Sequence, residues 1–97
     1  MAEVIFAALD WDRGNREKCA KHGIAVEDIE HVLRNNPLLF ADLKHSQKEQ
    51  RTIAVGRSLS GRWMFIVFTV RRQRRGQTLV RPLSARYMHE KEVRKYE

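Results

Sequence analysis

The apolar positions of this chain alternate between the spacing of helices and that of strands. Residues 4–9 form a short run rich in Val, Ile and Phe, which predicts a first strand. Asp10 or Asp12 then offers a carboxylate to cap a helix reaching His22, with Gly23 as its stop. Val26–Arg34 reads as a second helix, with Val26, Ile29, Val32 and Leu33 on one side and acidic residues elsewhere. Asn35-Asn36-Pro37 ends it, Leu38–Ala41 is a short apolar segment read as a strand, and residues 42–50 are a polar loop. Residues 51–57 alternate, Ile53 and Val55 pointing one way, and Ser58-Leu59-Ser60-Gly61 makes a turn. Residues 63–70 are apolar on both alternating faces, so they predict a central strand covered above and below. A charged hairpin loop follows over residues 71–76, and residues 78–86 are the last strand, with Pro82 at an edge or a bulge. Residues 87–96 close the chain as a helix, with Met88, Glu92 and Tyr96 on one stripe.

Two early helices, three strands joined by tight turns and a final helix predict an α+β fold. Its sheet is expected to be antiparallel, with the helices packed on one face and any site on the open face. The 97 residues fit one domain, 1–97, and no run nears the roughly 18 apolar residues of a membrane-spanning helix. The first ten residues lack the basic start and length of a secretory signal. The single cysteine, Cys19, excludes an internal disulfide framework and fits a reducing compartment, so a cytoplasmic location is expected.

Charge divides the chain. Residues 1–50 carry seven basic and nine acidic side chains, whereas residues 51–97 carry twelve basic and three acidic ones. All but two of those twelve are arginines, the side chain shaped for bidentate phosphate contact. Nucleic acid or an acidic protein is the first partner to consider, against the alternative of a solvated basic face that only keeps the protein soluble.

Metal chemistry finds no signature: His22, His31, His45 and His89 are not closely paired, and one thiol cannot build a thiolate site. Three features remain. In the first helix Trp11, Asn15, Lys18 and His22 line up beside Cys19, a largely polar row where a helix seeking only a core would carry aliphatics. With Lys21 adjacent, His22 reads either as a general base or as a helix end that complements the dipole. The arginines at strand ends, Arg51, Arg57, Arg62, Arg71, Arg81 and Arg86, read either as a phosphodiester pocket or as edge charges that discourage aggregation. The hairpin cluster Arg71, Arg72, Arg74 and Arg75 reads as a sequence-independent phosphate contact.

Taken in order, these residues resemble the BrnT-type toxins. The match opens with Trp11-Asp12, Asn15, Lys21-His22-Gly23-Ile24 and Glu27-Asp28. It continues with His45-Ser46 and with Arg51 leading to Ile53-Ala54-Val55-Gly56-Arg57-Ser58. Gly61-Arg62, Phe68-Thr69 with Arg71, Ser84-Ala85-Arg86 and Lys95-Tyr96-Glu97 complete it, over roughly residues 9–97. The resemblance implies a RelE-like α+β fold and the toxin of a bacterial type II toxin–antitoxin pair. It further implies a metal-independent endoribonuclease that needs no cofactor, cleaves RNA and arrests growth. The partner would be a cognate ribbon-helix-helix (BrnA-type) antitoxin, the complex binding promoter DNA through the antitoxin. The chain departs from the family pattern at Ala25-Val26, where a Ser or Thr cap is usual, in its arginine-rich loop, and in a few residues ahead of Trp11.

In that scheme His22 acts as base or acid with His45 as its complement, while Arg51, Arg71 and Arg86 hold the phosphate and stabilise its transition state. Lys18, Lys21, Arg62, Arg72, Arg74 and Arg75 attract the RNA, Trp11 stacks a base or packs its helix, and Tyr87 is a spare proton donor. The rival class is a non-catalytic basic module that binds RNA or the ribosome. A third reading has the basic face receive an acidic antitoxin tail, added as a strand at the sheet edge.

Overall fold

A computed structural model describes residues 6–45, 49–73 and 75–96. Along the chain lie β1 (Ala8–Leu9), α1 (Arg13–Ala20), α2 (Val26–Arg34), β2 (Leu38–Ala41), β3 (Thr52–Arg57), β4 (Trp63–Arg72), β5 (Thr78–Tyr87) and α3 (Glu90–Val93). A single 3-10 turn, Leu43–His45, follows β2. The strands form one sheet in the order β1-β5-β4-β3-β2. The α+β class is as the pattern predicts, but the sheet is mixed rather than antiparallel. The hairpin-linked strands pair antiparallel, while β1 joins the outer side of β5 in parallel, Ala8 opposite Leu79 and Leu9 opposite Val80. Strand β1 can do so because α1 and the rest of the chain intervene between the two, the long connection a parallel pair needs.

Strand β4 is central, and its Met64, Ile66 and Phe68 are buried against Ile29, Val32 and Leu33 of α2 and Cys19 of α1 in one cluster. Gly56 allows α2 to come close to β3, since a Cβ there would lie 3.0 Å from Val32 Cγ1 and 3.5 Å from Pro37 Cβ. Pro82 sits at a bulge: Val67 pairs with Ser84 and Phe68 with Pro82, leaving Leu83 as the extra residue. The missing N–H of Pro82 therefore interrupts a ladder that is already irregular.

The closing helix is shorter than the pattern predicts. Residue Tyr87 still belongs to β5, Met88 N–H donates to Trp63 O at 2.9 Å, and the helix spans only Glu90–Val93. Nor does it join α1 and α2 on their face. Arg86 lies opposite Phe65, and Phe40 opposite Ile53, all on the side of the sheet away from the helical core. The Glu92 carboxylate takes both Nη1 and Nη2 of Arg86 at 2.8 Å, and the Tyr96 ring meets Phe40 with centroids 5.3 Å apart. The C-terminal segment therefore crosses the second face from β5 to β2. Val55 on this face is fully buried without belonging to the helical cluster. Partial cover by this segment, rather than a second helical layer, is why the apolar residues of β4 on this side are only half-buried.

The Arg86–Glu92 pair makes stability depend on pH. The two guanidinium hydrogen bonds and the His89 N–H hold Glu92 down at about 2, against an ordinary value of 4.5. A depressed carboxylate contributes stability that is complete above its unfolded value and is lost as pH falls towards the folded one. Wild-type and Glu92→Gln proteins should thus differ in urea midpoint by a constant amount near neutrality. The difference should narrow below about pH 4.5 and close near about pH 2, which urea melts across that range measure.

Candidate active site

Helix α1 has little apolar surface, and its local hydrogen bonds explain how it forms. Asp12 Oδ1 accepts the Asn15 N–H at 2.9 Å, while Asn15 Oδ1 accepts the Asp12 N–H at 2.7 Å, a reciprocal cap. The Asn15 amide then donates to Asp10 O at 2.9 Å and to Pro82 O at 2.8 Å. The helix start is thereby tied to the bulge of β5. Gly23, at φ +71°, closes the other end with its N–H on Ala20 O.

Beside this anchored start is a pocket of about 500 Å³ lined by Asp12, Arg13, Gly14, Asn15 and Lys18 of the α1 region together with Arg51, Arg81 and Leu83. The second carboxylate oxygen of Asp12 faces β5, where Oδ2 accepts from Arg81 Nη2 at 2.6 Å. These contacts, with the Asn15 N–H contributing most and the Arg81 guanidinium next, hold the Asp12 carboxyl below the usual carboxylate range. Arg81 also lies 3.7 Å from Asp10 Oδ2, which is 3.9 Å from Arg71 Nε, and Arg71 Nη2 is 4.0 Å from Glu49. Acid and base thus alternate along Asp12, Arg81, Asp10, Arg71 and Glu49. The strand pairing that sets this up places Thr69 opposite Arg81, with Thr69 Oγ1 donating to Gln50 O at 3.0 Å. A second hollow of about 300 Å³, lined by Thr69, Arg71 and Glu49 among others, adjoins the chain of charges.

The fold brings some of the predicted residues together and separates others. Lys18 and Arg51 line the pocket, and Arg71 is joined to it through Asp10. Arg86 does not line it: the residue lies opposite Phe65, four β4 positions from Thr69, or about 13 Å along the strand. His22 and Lys21 are exposed beyond the C-terminal end of α1, the end away from Asp12. The 3-10 turn ends at His45, whose side chain lies outside the described residues, as do Ser46 and Arg74. Arg72 and Arg75 are exposed at the β4–β5 hairpin, and Arg62 lies over the Tyr87 ring. Trp11 packs against the core cluster, with Arg16 Cζ 5.9 Å from its ring.

Two pocket cations, Arg81 and Arg13, have no role in the scheme that the family resemblance implies. The signal for Arg81 was its place among the strand-end arginines; its register opposite Thr69 appears only when the sheet is assembled. Cys19, buried beneath the row, has its thiol pushed up to about 11 by that burial. Iodoacetamide at about pH 8 should alkylate it on the order of 100-fold more slowly than a free cysteine, and urea should abolish the difference. Among the described residues no three of His, Cys, Asp and Glu gather as a metal site would require, and no helix is long and apolar enough to cross a membrane.

The structure thus defines a small α+β protein with a cationic, carboxylate-braced pocket beside the bulged strand of its sheet. The family model described as "Ribonuclease toxin, BrnT, of type II toxin-antitoxin system" matches residues 11–92, and the chain belongs to that family. Membership makes it a ribonuclease toxin of a type II toxin–antitoxin system. No curated protein matches the chain.

Proposed function

We propose that the protein is a metal-independent endoribonuclease whose phosphate-binding centre is the pocket holding Lys18, Arg51 and Arg81, with Arg71 at its margin. The observation that carries this reading is the convergence of those cations from α1, the β3 entry and β5 on one hollow, in a chain of the ribonuclease toxin family. Cleavage of RNA without a metal proceeds by in-line attack of the ribose 2′-OH on the adjacent phosphorus. It leaves a cyclic phosphate and a free 5′-hydroxyl, and charge accumulates on the non-bridging oxygens. Guanidinium groups set around the phosphate stabilise that charge. The carboxylates of Asp12 and Asp10 hold Arg81 in place before substrate arrives, so little reorganisation is left for the reaction itself. His22, four residues beyond Lys18, is the imidazole assigned to proton transfer, with His45 as its complement. Arg86 is a further phosphate ligand in this assignment, reached only if substrate extends under the C-terminal segment. Lys21, Arg62, Arg72, Arg74 and Arg75 guide the polyanion.

In the cell this activity arrests growth in the cytoplasm until a cognate ribbon-helix-helix antitoxin neutralises it, the complex binding promoter DNA through the antitoxin. The test is incubation of the purified protein with end-labelled RNA in EDTA. Cleavage that survives chelation and leaves cyclic-phosphate ends is expected. Salt-dependent binding without cleavage, with or without ribosomes, would replace the enzyme by a basic RNA-binding module. A His22→Ala protein that cleaves at the wild-type rate would remove His22 from the scheme.

A further inference from the structure

We propose that the end of the sheet around the β3–β4 turn is a stacking site for unpaired bases of single-stranded RNA, separate from the phosphate pocket. The proposal rests on the reading of RNA as substrate and names how the chain holds it.

Among the described residues five guanidiniums lie within 6 Å of an aromatic ring centroid. Two of them flank a single turn, one on each face of the sheet: Trp63 shares the face of Phe65, whereas Tyr87 lies opposite Met64 and packs against the helical core. Arg57 Cζ is 5.1 Å from the Trp63 ring, directly across the strand pair, and Arg62 Cζ is 3.6 Å from the Tyr87 ring on the neighbouring strand. Both rings are half-buried and both arginines exposed, so each guanidinium covers a ring and turns its outer surface to water.

The turn between them is braced. Ser58 N–H donates to Arg62 O at 2.8 Å, Gly61 N–H to Ser58 O at 2.9 Å, and the Ser58 and Ser60 hydroxyls are 2.9 Å apart. Gly61 takes φ +84°, open to glycine at no steric cost, and the Leu59 N–H donates to Asp28 Oδ1 on α2. Leu59 itself is 64% exposed at the tip.

Ion pairing sets these two arginines apart from Arg71, Arg81 and Arg86. Arg71, Arg81 and Arg86 are each held by carboxylates, whereas Arg57 and Arg62 make no ion pair with the described residues. A guanidinium over a ring and not engaged by an acid offers a planar cationic group, which stacks a nucleobase and attracts its phosphate. Stacking of this kind accepts any base. Trp63 lies six β4 positions from Thr69, so the site is about 20 Å along the strand from the pocket.

The test uses Trp63 as reporter in a Trp11→Phe background and a 2′-O-methyl oligoribonucleotide, which cannot be cleaved through its 2′ position. The expected result is quenching of Trp63 by this probe, and weaker binding without quenching by an abasic probe of equal length and charge. Arg57→Ala with Arg62→Ala should weaken binding of the first probe on the order of tenfold. Arg57→Lys with Arg62→Lys keeps the charge and loses the plane; it should bind nearly as weakly as the alanine pair. Equal binding of the two probes, no binding of either, or lysine variants indistinguishable from wild type would overturn the proposal. Because the probe is uncleavable, base-dependent binding with no RNA cleavage elsewhere would retire the nuclease reading and leave the stacking site standing.

Discussion

Arg81→Ala should lower single-turnover RNA cleavage on the order of 100-fold while leaving the fold intact, because it removes a preorganised cation from the pocket. Arg81 is held in position by two carboxylates. Its carboxylate partners are 2.6 Å away at Asp12 and 3.7 Å away at Asp10, and its side chain is only 18% exposed. Arg51→Ala should produce a loss of the same order. Arg81→Lys should recover only part of the rate, since an ammonium cannot engage Asp12, Asp10 and a phosphate in one plane. Arg86→Ala supplies the contrast. Its guanidinium is occupied by Glu92 and lies outside the pocket, so its loss should alter cleavage by a few-fold at most. A larger defect at Arg86 than at Arg81, in proteins shown to be folded by circular dichroism, would move the reacting phosphate to the face crossed by the C-terminal segment.

Asn15→Ala should destabilise the protein by about 3 kcal/mol, a large share of the roughly 5–15 kcal/mol typical of a domain. The side chain is 5% exposed and makes three hydrogen bonds, accepting from Asp12 N and donating to Asp10 O and Pro82 O. Alanine leaves those backbone groups without a partner in a site that water reaches poorly, and each such group costs about 1–3 kcal/mol. Asn15→Asp is the sharper control. It keeps the acceptor for Asp12 N but replaces two donors by a carboxylate facing two carbonyl oxygens, so it should be at least as damaging. Urea unfolding with an unchanged slope and a lower midpoint is the expected signature. A midpoint within experimental error of wild type would mean that α1 is held by its packing alone.

Asn15 also shows how a residue pattern points to the right position for the wrong reason. The row Trp11, Asn15, Lys18 and His22 stands out because it is polar where a core helix should be apolar. In the fold its members part company. Trp11 packs against the core, Asn15 is a buried strut, Lys18 lines the pocket, and His22 is exposed past the helix end. Helical spacing says which residues share a side, but not whether that side meets a neighbour's backbone, a cavity or water.

The strand-end arginines divide in the same way. Arg51, Arg71 and Arg81 gather near the start of α1, Arg86 is taken by Glu92, and Arg57 and Arg62 lie on aromatic rings. Nothing local in the sequence distinguishes them. What separates them is register: Thr69 opposite Arg81 but Phe65 opposite Arg86, with a bulge at Pro82 between.

Most of the elements were legible in the chain, the closing helix excepted. Val26–Arg34 and Leu38–Ala41 fall where periodicity and turn residues place them, and β3, β4 and β5 lie within two residues of expectation at each end. Pro82 marks a bulge, as a residue without an N–H should. The short-range chemistry of caps, turns and alternation determines these features. Tertiary structure alone decided that β1 returns parallel to β5, that the C-terminal segment crosses the second face, and which arginines share a pocket. Each of these depends on pairing between residues far apart in the chain. The partner of Arg86 illustrates the point from the other side: Glu92 is only six residues away, yet it reaches the guanidinium because the chain leaves β5 after Tyr87 and turns back over the sheet.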